Sequence, residues 1–225
     1  MADELLPLSR LESSAERAAR VLLGCLLCRR LEDGTVLRGR IVETEGYAGA
    51  EDVASHSFGG RRTGRNESMY ARAGTAYVYF TYGMHWCMNV ACSIEDDPQA
   101  VLLRAIEPVE GADRMEILRR SNPRAARRLA EIKIGAGPAR LCAAMGLDRS
   151  WDGVDLLARS ERGEDLWLEH GDRPSRTLVG PRIGIDRVGE PWLSAPLRFG
   201  VEGSPSLSKP FPTVGEERAA RDSAS

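Results

Sequence analysis

Five strand-like segments follow one another in the first half of the chain, joined by short connections. They cover Cys25–Leu31, Thr35–Tyr47, Thr75–Tyr82, Trp86–Ser93 and Ala100–Ile106. Asp33-Gly34 is a hairpin turn signal between the first two segments, and Gly83 separates the third from the fourth. Parallel strands are usually joined by crossover helices, and these segments do not form a series in which strands alternate with helices. The pattern therefore predicts an antiparallel sheet.

Helical signals precede and follow this sheet. Ser13-Ser14-Ala15-Glu16 resembles a capping box ahead of a short helix that ends at Gly24. Further helices are expected at Glu110–Arg120, Arg124–Lys133 and Pro138–Met145, and further strands at Asp165–Glu169, Arg182–Val188 and Leu197–Val201. Sheet, helices, sheet is an α+β pattern. We expect a single domain over residues 1–213, built on a curved antiparallel sheet with peripheral helices, and a disordered polar tail over residues 214–225.

A chain of 225 residues can bury about 70% of its surface, so its core needs no disulfide or metal. With 42% hydrophobic and 28% charged residues, the composition excludes collagen, coiled coils, disordered proteins and membrane proteins. The apolar run Val21–Cys28 is too short to span a bilayer, and we expect a cytoplasmic protein, nucleoid-associated if prokaryotic. Cys25 and Cys28 lack a second pair or a histidine at zinc spacing, so we expect buried thiols, no metal and no cofactor.

The net charge of −2 hides an uneven distribution of basic residues. All but two of the 31 basic residues are arginines, whose planar guanidinium suits bidentate phosphate contacts. One cluster contains Arg61, Arg62 and Arg65, and another runs from Arg114 to Arg128. For the second cluster, a basic face for nucleic acid and an ordinary solvated helix face both remain open.

Charged side chains interrupt two strands that are otherwise apolar. Period-two alternation places four residues on one face of the second strand: Leu37, Ile41, Glu43 and Glu45. A carboxylate that ends an apolar face is either a rim ion pair or a pocket residue, and in a pocket desolvation raises its pKa and makes it a candidate general base. Arg104 lies in the apolar strand Val101–Ala105, where a buried arginine needs a carboxylate or an anionic ligand.

Aromatic side chains occupy both faces of the third strand. Tyr77 and Tyr79 alternate with Phe80 and Tyr82, so large rings point both ways. Aromatic faces with polar tips suit a site that encloses a planar heterocycle, and a strand buried on both sides is the alternative. Asn89 lies in the following apolar strand, where a buried amide needs hydrogen-bond partners.

The same segments carry an ordered series of motifs. They are Arg40-Ile41-Val42-Glu43-Thr44-Glu45-Gly46-Tyr47, His56-Ser57, Gly59-Gly60-Arg61, Arg65-Asn66, Gly74-Thr75, Tyr77-Val78-Tyr79, Tyr82-Gly83-Met84, Cys87-Met88-Asn89, Val101-Leu102-Leu103-Arg104, Gly137-Pro138, Arg182-Ile183-Gly184 and Pro196-Leu197-Arg198-Phe199. With these motifs in this order, from about Leu8 to Pro205, the chain resembles the alkyladenine (3-methyladenine) DNA glycosylase family. The resemblance implies a monofunctional glycosylase that flips alkylated or deaminated purines out of duplex DNA, hydrolyses the N-glycosidic bond and initiates base excision repair.

The resemblance also implies roles for individual residues. Glu45 would activate the water that attacks the deoxyribose C1′, and Arg104 would hold that water and orient the carboxylate. The pocket for the extruded base would be formed by Tyr47, His56, Tyr79, Asn89 and the backbone near Ile183. Asn89 would disfavour bases that carry a guanine-like amino group.

Contacts with the duplex are implied for two further groups of residues. Tyr82, on the strand face opposite Tyr79, would wedge into the gap left by the base, with Met84 and His85 in the same hairpin. His85 departs from the family pattern, in which an aromatic residue can stand at this place. Phosphates would be contacted by Arg61, Arg65 and Gly137.

Two alternatives remain at this point. Ile134-Gly135-Ala136-Gly137-Pro138 also resembles the turn of a helix-hairpin-helix motif, which would make this a different type of DNA glycosylase. A non-catalytic nucleic-acid-binding module is the other alternative, although it gives Glu45, Asn89 and Arg104 no reason to occur together. We expect a monomer whose partner is double-stranded DNA containing damaged purines, with no membrane partner.

Overall fold

The computed structural model describes residues 4–121, 133–160 and 162–212. In these residues, nine strands form one sheet in which all pairings are antiparallel. The strands are β1 Leu26–Arg30, β2 Val36–Tyr47, β3 Ala76–Thr81, β4 His85–Cys92, β5 Gln99–Glu110, β6 Gly135–Ala136, β7 Asp165–Glu169, β8 Thr177–Gly180 and β9 Arg198–Val201. The main order is β3-β4-β5-β2-β1-β7, with β6 on β5 and the β8–β9 pair on β2.

Three α-helices lie in the same residues: α1 Ala15–Leu22, α2 Ala112–Ser121 and α3 Pro138–Met145. Ser14 caps α1 by accepting a hydrogen bond from the Arg17 N–H, and Gly146, with φ 62°, ends α3. The start of α2 is later than expected because Glu110 still belongs to β5. Residues 124–132 of the expected second helix, and the tail expected at 214–225, lie outside the described residues.

One hydrophobic core lies between the helices and the sheet. α1 packs against β2 and β5, and α3 packs against β4 and β5. Leu22 and Leu141 from these helices join Ile41, Leu103 and Phe199 of the sheet in a single buried cluster. Together with the antiparallel pairings, this confirms the α+β prediction. Over the described ranges, no helix is long and apolar enough to cross a membrane.

A bulge in β2 corrects the expectation that four residues share one face: Leu37, Ile41, Glu43 and Glu45. Ile41 lies opposite Ile106, and Glu43 lies opposite Ala105, so Val42 is an extra residue on β2. Such a bulge shifts the alternation by one residue and redirects the side chains that follow it. Leu37 and Ile41 therefore belong to the core, whereas the two glutamates point to the opposite face.

Thr44 lies on the face opposite the glutamates, and its hydroxyl donates to the carbonyl of Ala19 in α1 at 3.0 Å. A second irregularity follows at once, because Thr44 lies opposite Leu103 and leaves Arg104 as the extra residue on β5. The two bulges thus bring Arg104 to the same face as the carboxylates. Alternation along either strand alone does not predict this arrangement.

The strand expected at Arg182–Val188 is wrong. The strand in this region, β8, ends at Gly180 and pairs with β9, and the residues that follow form turns. Pro181 has no N–H for a ladder, and Gly184 leaves the extended region with φ 81°. The segment is therefore a loop, which reaches the face that carries the glutamates.

The helix-hairpin-helix alternative does not describe this fold. Gly135–Ala136 forms β6, which pairs with Ile106 and Ala105 of β5 instead of turning between two helices. Gly137 then leads from this strand into α3 with φ 120°.

Candidate active site

A cavity of about 160 Å³ lies beside the β3–β4 hairpin. Several predicted site residues line it together: Tyr47, His56, Tyr79, Tyr82 and Asn89. Ile183 is not among the described residues in its wall, but Gly184 and Ile185 are. The fold therefore gathers residues from β2, β3, β4 and two loops around one space.

Three aromatic rings are held against one another in this wall. The rings of Tyr77 and Tyr79 stack with centroids 5.3 Å apart, and the His56 ring meets Tyr79 edge-on at 4.6 Å. The His56 Nδ1 and the Tyr77 hydroxyl form a hydrogen bond of 2.7 Å. Burial lowers the pKa of His56, and the charges of Arg65 and Arg61 lower it further. The imidazole is therefore neutral at pH 7 and presents a flat ring without charge.

Asn89 is fixed in the wall by the backbone of the neighbouring strand. It lies opposite Tyr77 in the β3–β4 pairing, and its side-chain amide donates to the Tyr77 carbonyl at 3.1 Å. The residue is buried, so its amide cannot swing out to solvent. A ligand that enters the cavity would meet a polar group of fixed orientation.

Glu45 lies behind this wall and is fully buried. Its Oε1 accepts from the Ile183 N–H at 2.7 Å and lies 3.2 Å from the Arg104 guanidinium, while its Oε2 accepts from the Tyr47 hydroxyl at 3.0 Å. Burial raises the pKa of Glu45, and the charge of Arg104 opposes this shift. Glu45 is not among the described residues that line the cavity, so Tyr47 forms the link between carboxylate and cavity.

A buried ion cluster, formed by Glu43, Arg104, Arg198 and Ser208, lies next to Glu45. The Glu43 Oε1 accepts from Arg104 Nε at 2.9 Å, from Arg198 Nη1 at 3.2 Å and from the Ser208 hydroxyl at 2.8 Å. Glu43 lies beside Glu45 in the sequence, but no motif or pattern there indicated a role for it. Arg198 occurs in one of the motifs above and Ser208 in none, and the two residues lie 155 and 165 positions from Glu43.

A second buried ion pair, which the sequence did not predict, supports Tyr47. Arg182 donates both terminal nitrogens to Asp52, and both side chains are fully buried. The Arg182 guanidinium lies 4.7 Å from the centre of the Tyr47 ring and donates to the Gly46 carbonyl at 3.1 Å. This stacking holds the ring in the cavity wall. Arg182 occurs in one of the motifs above, which is the one signal that pointed to it.

The turn of the β3–β4 hairpin exposes large side chains to solvent. Tyr82 is 81% exposed and Met84 is 51% exposed, while His85 begins β4 opposite Thr81. Tyr82 lies in the turn, with φ 51° before Gly83 at 64°, and not on the far face of β3 as expected. The turn releases its ring from the sheet, so it reaches the mouth of the cavity instead of the core.

The predicted phosphate contacts lie at different places. Arg61 and Arg65 are exposed, and among the described residues neither has a carboxylate partner. Arg65 donates to the Phe80 carbonyl at 2.9 Å, which places it beside the hairpin. Gly137 is the N-cap of α3, whose first turn presents free backbone N–H groups.

The α2 arginines behave differently. Arg114 pairs with Asp33, Arg120 pairs with Glu116, and Arg119 is buried. This part of the second cluster is therefore engaged within the protein, and Arg124, Arg127 and Arg128 lie outside the described residues.

All five cysteines are buried and none forms a disulfide. Within the segments that the structure describes, no group of three or more histidine, cysteine or acidic side chains is arranged to hold a metal ion. Cys25 donates its thiol to the Val21 carbonyl, as a packed residue beside α1 would.

Comparison with known proteins identifies the family. The sequence model of the methylpurine-DNA glycosylase family matches residues 9–205. The mouse DNA-3-methyladenine glycosylase is 46% identical over 203 residues, which cover 88% of this chain and 59% of the mouse protein. The human protein of the same name is 47% identical over 195 residues, covering 84% and 63%.

A bacterial relative matches over nearly its whole length. The putative 3-methyladenine DNA glycosylase of Clostridium tetani is 40% identical over 204 residues, which cover 88% of this chain and 96% of the bacterial protein. By contrast, the chain spans about three-fifths of the length of the mouse and human relatives. The family match covers the sheet, the cavity and Glu45 alike, and on this ground the chain belongs to the methylpurine-DNA glycosylase family.

Proposed function

We propose that this chain is a monofunctional DNA glycosylase that acts, as a monomer, on double-stranded DNA containing alkylated or deaminated purines. It flips the damaged nucleotide out of the duplex and hydrolyses its N-glycosidic bond, which initiates base excision repair. One observation carries the proposal: Tyr47 lines the aromatic cavity and also donates to the buried Glu45 carboxylate at 3.0 Å. The names of the mouse, human and bacterial relatives support the same activity.

Flipping is required because the N-glycosidic bond of a stacked base is out of reach, and it costs a few kcal/mol. Tyr82 stands exposed at the mouth of the cavity, where it fills the gap and recovers stacking worth roughly 1–3 kcal/mol. The rings of Tyr47, His56 and Tyr79 then contact the extruded base. A damaged purine pairs poorly or carries positive charge, which lowers the cost of flipping and improves the leaving group.

Glu45 acts as the general base for the attacking water. Its carboxylate takes a proton from the water while the water oxygen bonds to C1′, and the electron pair of the broken C1′–N bond leaves with the base. Arg104, 3.2 Å from Oε1, keeps the carboxylate oriented. Among the described contacts Oε2 accepts one hydrogen bond, from the Tyr47 hydroxyl, so an acceptor position remains on it for the attacking water.

A lyase step through a lysine Schiff base is not part of the proposal. The chain has two lysines, Lys133 and Lys209, and neither is among the described residues around the cavity. The product is therefore an abasic site in an intact strand.

The test is incubation with a duplex that contains hypoxanthine, followed by alkali to cleave abasic sites. The wild-type protein should release the base, and Glu45→Gln should retain DNA binding but lose roughly 10²–10⁴-fold in single-turnover rate, because an amide cannot take the proton. Glu169→Gln is the matched control, since it removes a buried carboxylate on β7, at the opposite edge of the sheet from β3. Near wild-type excision by Glu45→Gln would refute the assignment of the base.

The remaining alternatives give different results in the same assay. DNA binding without any abasic site would favour the non-catalytic module. Strand cleavage before alkali would show a lyase step. Size-exclusion chromatography of the free protein and of its DNA complex tests the monomer.

A further inference from the structure

Both carboxylate oxygens of Glu43 accept hydrogen bonds from the protein. Its Oε1 takes three donors from the buried ion cluster, and its Oε2 accepts from the Ser208 backbone N–H at 2.6 Å. A carboxylate offers about four acceptor sites, and four described hydrogen bonds from the protein meet this one. Glu43 is completely buried and lies two residues from Glu45 on the same face of β2. It is therefore built to hold other side chains.

Arg104 connects the two carboxylates. Its Nε donates to Glu43, its Nη1 lies 3.2 Å from Glu45, and its Nη2 donates to the Ser208 hydroxyl at 3.0 Å. All three nitrogens of the guanidinium thus have partners, and the planar group cannot rotate without breaking one of them. The orientation of Arg104 toward Glu45 depends on Glu43 and Ser208.

Ser208 belongs to a segment that packs against this cluster. The segment lies after the region matched by the family model, which ends at residue 205. The carbonyls of Lys209 and Pro210 accept from Arg198, and the Phe211 ring lies 3.8 Å from its guanidinium. The segment therefore contributes directly to the charge arrangement next to the site.

We propose that Glu43 and Ser208 are positioning residues for Glu45 that act through Arg104. The inference rests on the proposed function, in which Glu45 is the general base. Ser208 fixes both Glu43 and Arg104, and Glu43 fixes the guanidinium that orients Glu45. Neither residue touches the cavity among the described contacts, so both act at one remove from the substrate.

The charges around Glu45 give this role a signature in the pH profile. Glu45 faces Glu43 and Tyr47 of β2, Tyr79 of β3, Cys87 of β4, Arg104 of β5 and Arg198 of β9. The like charge of Glu43 raises the pKa of Glu45, so removal of that charge lowers it. The acid limb of the rate profile should then move to lower pH. Loss of the Ser208 hydroxyl removes no charge and should leave the limb in place.

The experiment measures single-turnover release of 3-methyladenine from a methylated duplex across a pH series. This base is already cationic and leaves without protonation, so the acid limb reports activation of the water. Glu43→Gln should lower the rate by roughly 10²-fold and shift the limb to lower pH. Ser208→Ala should lower the rate less without a shift, and Ser208→Thr should restore it. Glu169→Gln, which breaks the partly buried ion pair with Arg38, should change neither the rate nor the acid limb.

The outcomes separate this inference from the proposed function. Wild-type rates and an unshifted limb in Glu43→Gln, or a wild-type rate in Ser208→Ala, would overturn the positioning role while the glycosylase stands. An equal loss of rate in Glu169→Gln would show that the effect is general destabilisation of the protein, and would also overturn the positioning role. Base release by Glu45→Gln but not by Glu43→Gln would show that Glu43, and not Glu45, is the general base, and would overturn the positioning role. A wild-type protein that releases no base would overturn the proposed function itself.

Discussion

Glu45 is a charged group in a place where charge is costly. Desolvation is the largest effect on its pKa, and the lowering by Arg104, the Ile183 N–H and the Tyr47 hydroxyl leaves that pKa raised. The same burial that makes it a stronger base therefore makes its ionised form destabilising for the fold. This residue trades stability for the protonation behaviour that water activation needs.

This trade-off predicts a pH-dependent effect of Glu45→Gln on stability. Because the folded-state pKa lies above the unfolded value, the unfolded chain loses this proton first, and stability falls as the pH rises from the unfolded to the folded pKa. The amide has no proton to lose. The free energy of unfolding of the variant relative to wild type should rise with pH across this window, as urea titrations at several pH values would show. A constant difference would contradict the raised pKa.

Tyr82 differs from the other tyrosines of the site because its ring lies in solvent. Truncation of a buried aromatic costs roughly 3–5 kcal/mol, but Tyr82→Ser should leave thermal unfolding nearly unchanged. Excision of a well-paired lesion should slow, because stacking of roughly 1–3 kcal/mol is lost. The loss should be smaller for a mismatched lesion, which needs less flipping energy. An equal loss on both substrates would argue against the wedge, and Met84→Ser measured alongside would show whether Met84 has that role.

At the scale of elements, the ends of helices are set by backbone conformation. Gly146 ends α3 in the left-handed region with φ 62°, and a Cβ added there would lie 2.3 Å from the Arg29 guanidinium. That guanidinium is itself bound to the carbonyls of Met145 and Gly146. The turn therefore joins α3 to β1 through one arginine.

Gly146→Ala should destabilise the fold by about 1–2 kcal/mol from backbone strain, and by more because Arg29 must move. Gly163→Ala is the matched control, since Gly163 also has positive φ, 74°, but open space around its Cβ position. Chemical denaturation of both variants isolates the packing contribution. Equal losses would show that the Arg29 contact adds nothing.

At the scale of the whole molecule, a net charge of −2 coexists with local positive charge. Arg61 and Arg65 are exposed near the cavity, and both lower the pKa of His56 through their charge. Their field therefore extends over the site. The α2 arginines Arg114 and Arg120 are instead neutralised by acidic partners.

We therefore expect strongly salt-dependent DNA binding despite the negative net charge. Replacement of both Arg61 and Arg65 by alanine should flatten the slope of log affinity against log salt by roughly one to two. The same double replacement at Arg114 and Arg120 removes equal charge and should leave the slope unchanged. Fluorescence anisotropy titrations measure these slopes. A slope that changes with the Arg114 and Arg120 replacement, but not with the Arg61 and Arg65 replacement, would show that DNA binds at α2.

Local chemistry in the sequence was sufficient for most secondary structure. The caps at Ser14 and Gly146, the Asp33-Gly34 turn and the strand patterns depend on neighbours in the chain, so they predicted α1, α3 and an antiparallel sheet. The expected strand at Arg182–Val188 failed because its apolar alternation was outweighed by Pro181 and Gly184.

The residues of the candidate site were named from ordered motifs, but their arrangement required the tertiary structure. The bulges that turn Glu43, Glu45 and Arg104 to one face come from pairing between β2 and β5, and no single strand encodes them. Ser208 meets Glu43 across 165 positions. A buried charge is stable only with its partners, and those partners come from remote segments that become neighbours only when the sheet has formed. The sequence alone thus determined which residue types and local elements were present, and the tertiary structure decided which charges share a buried space.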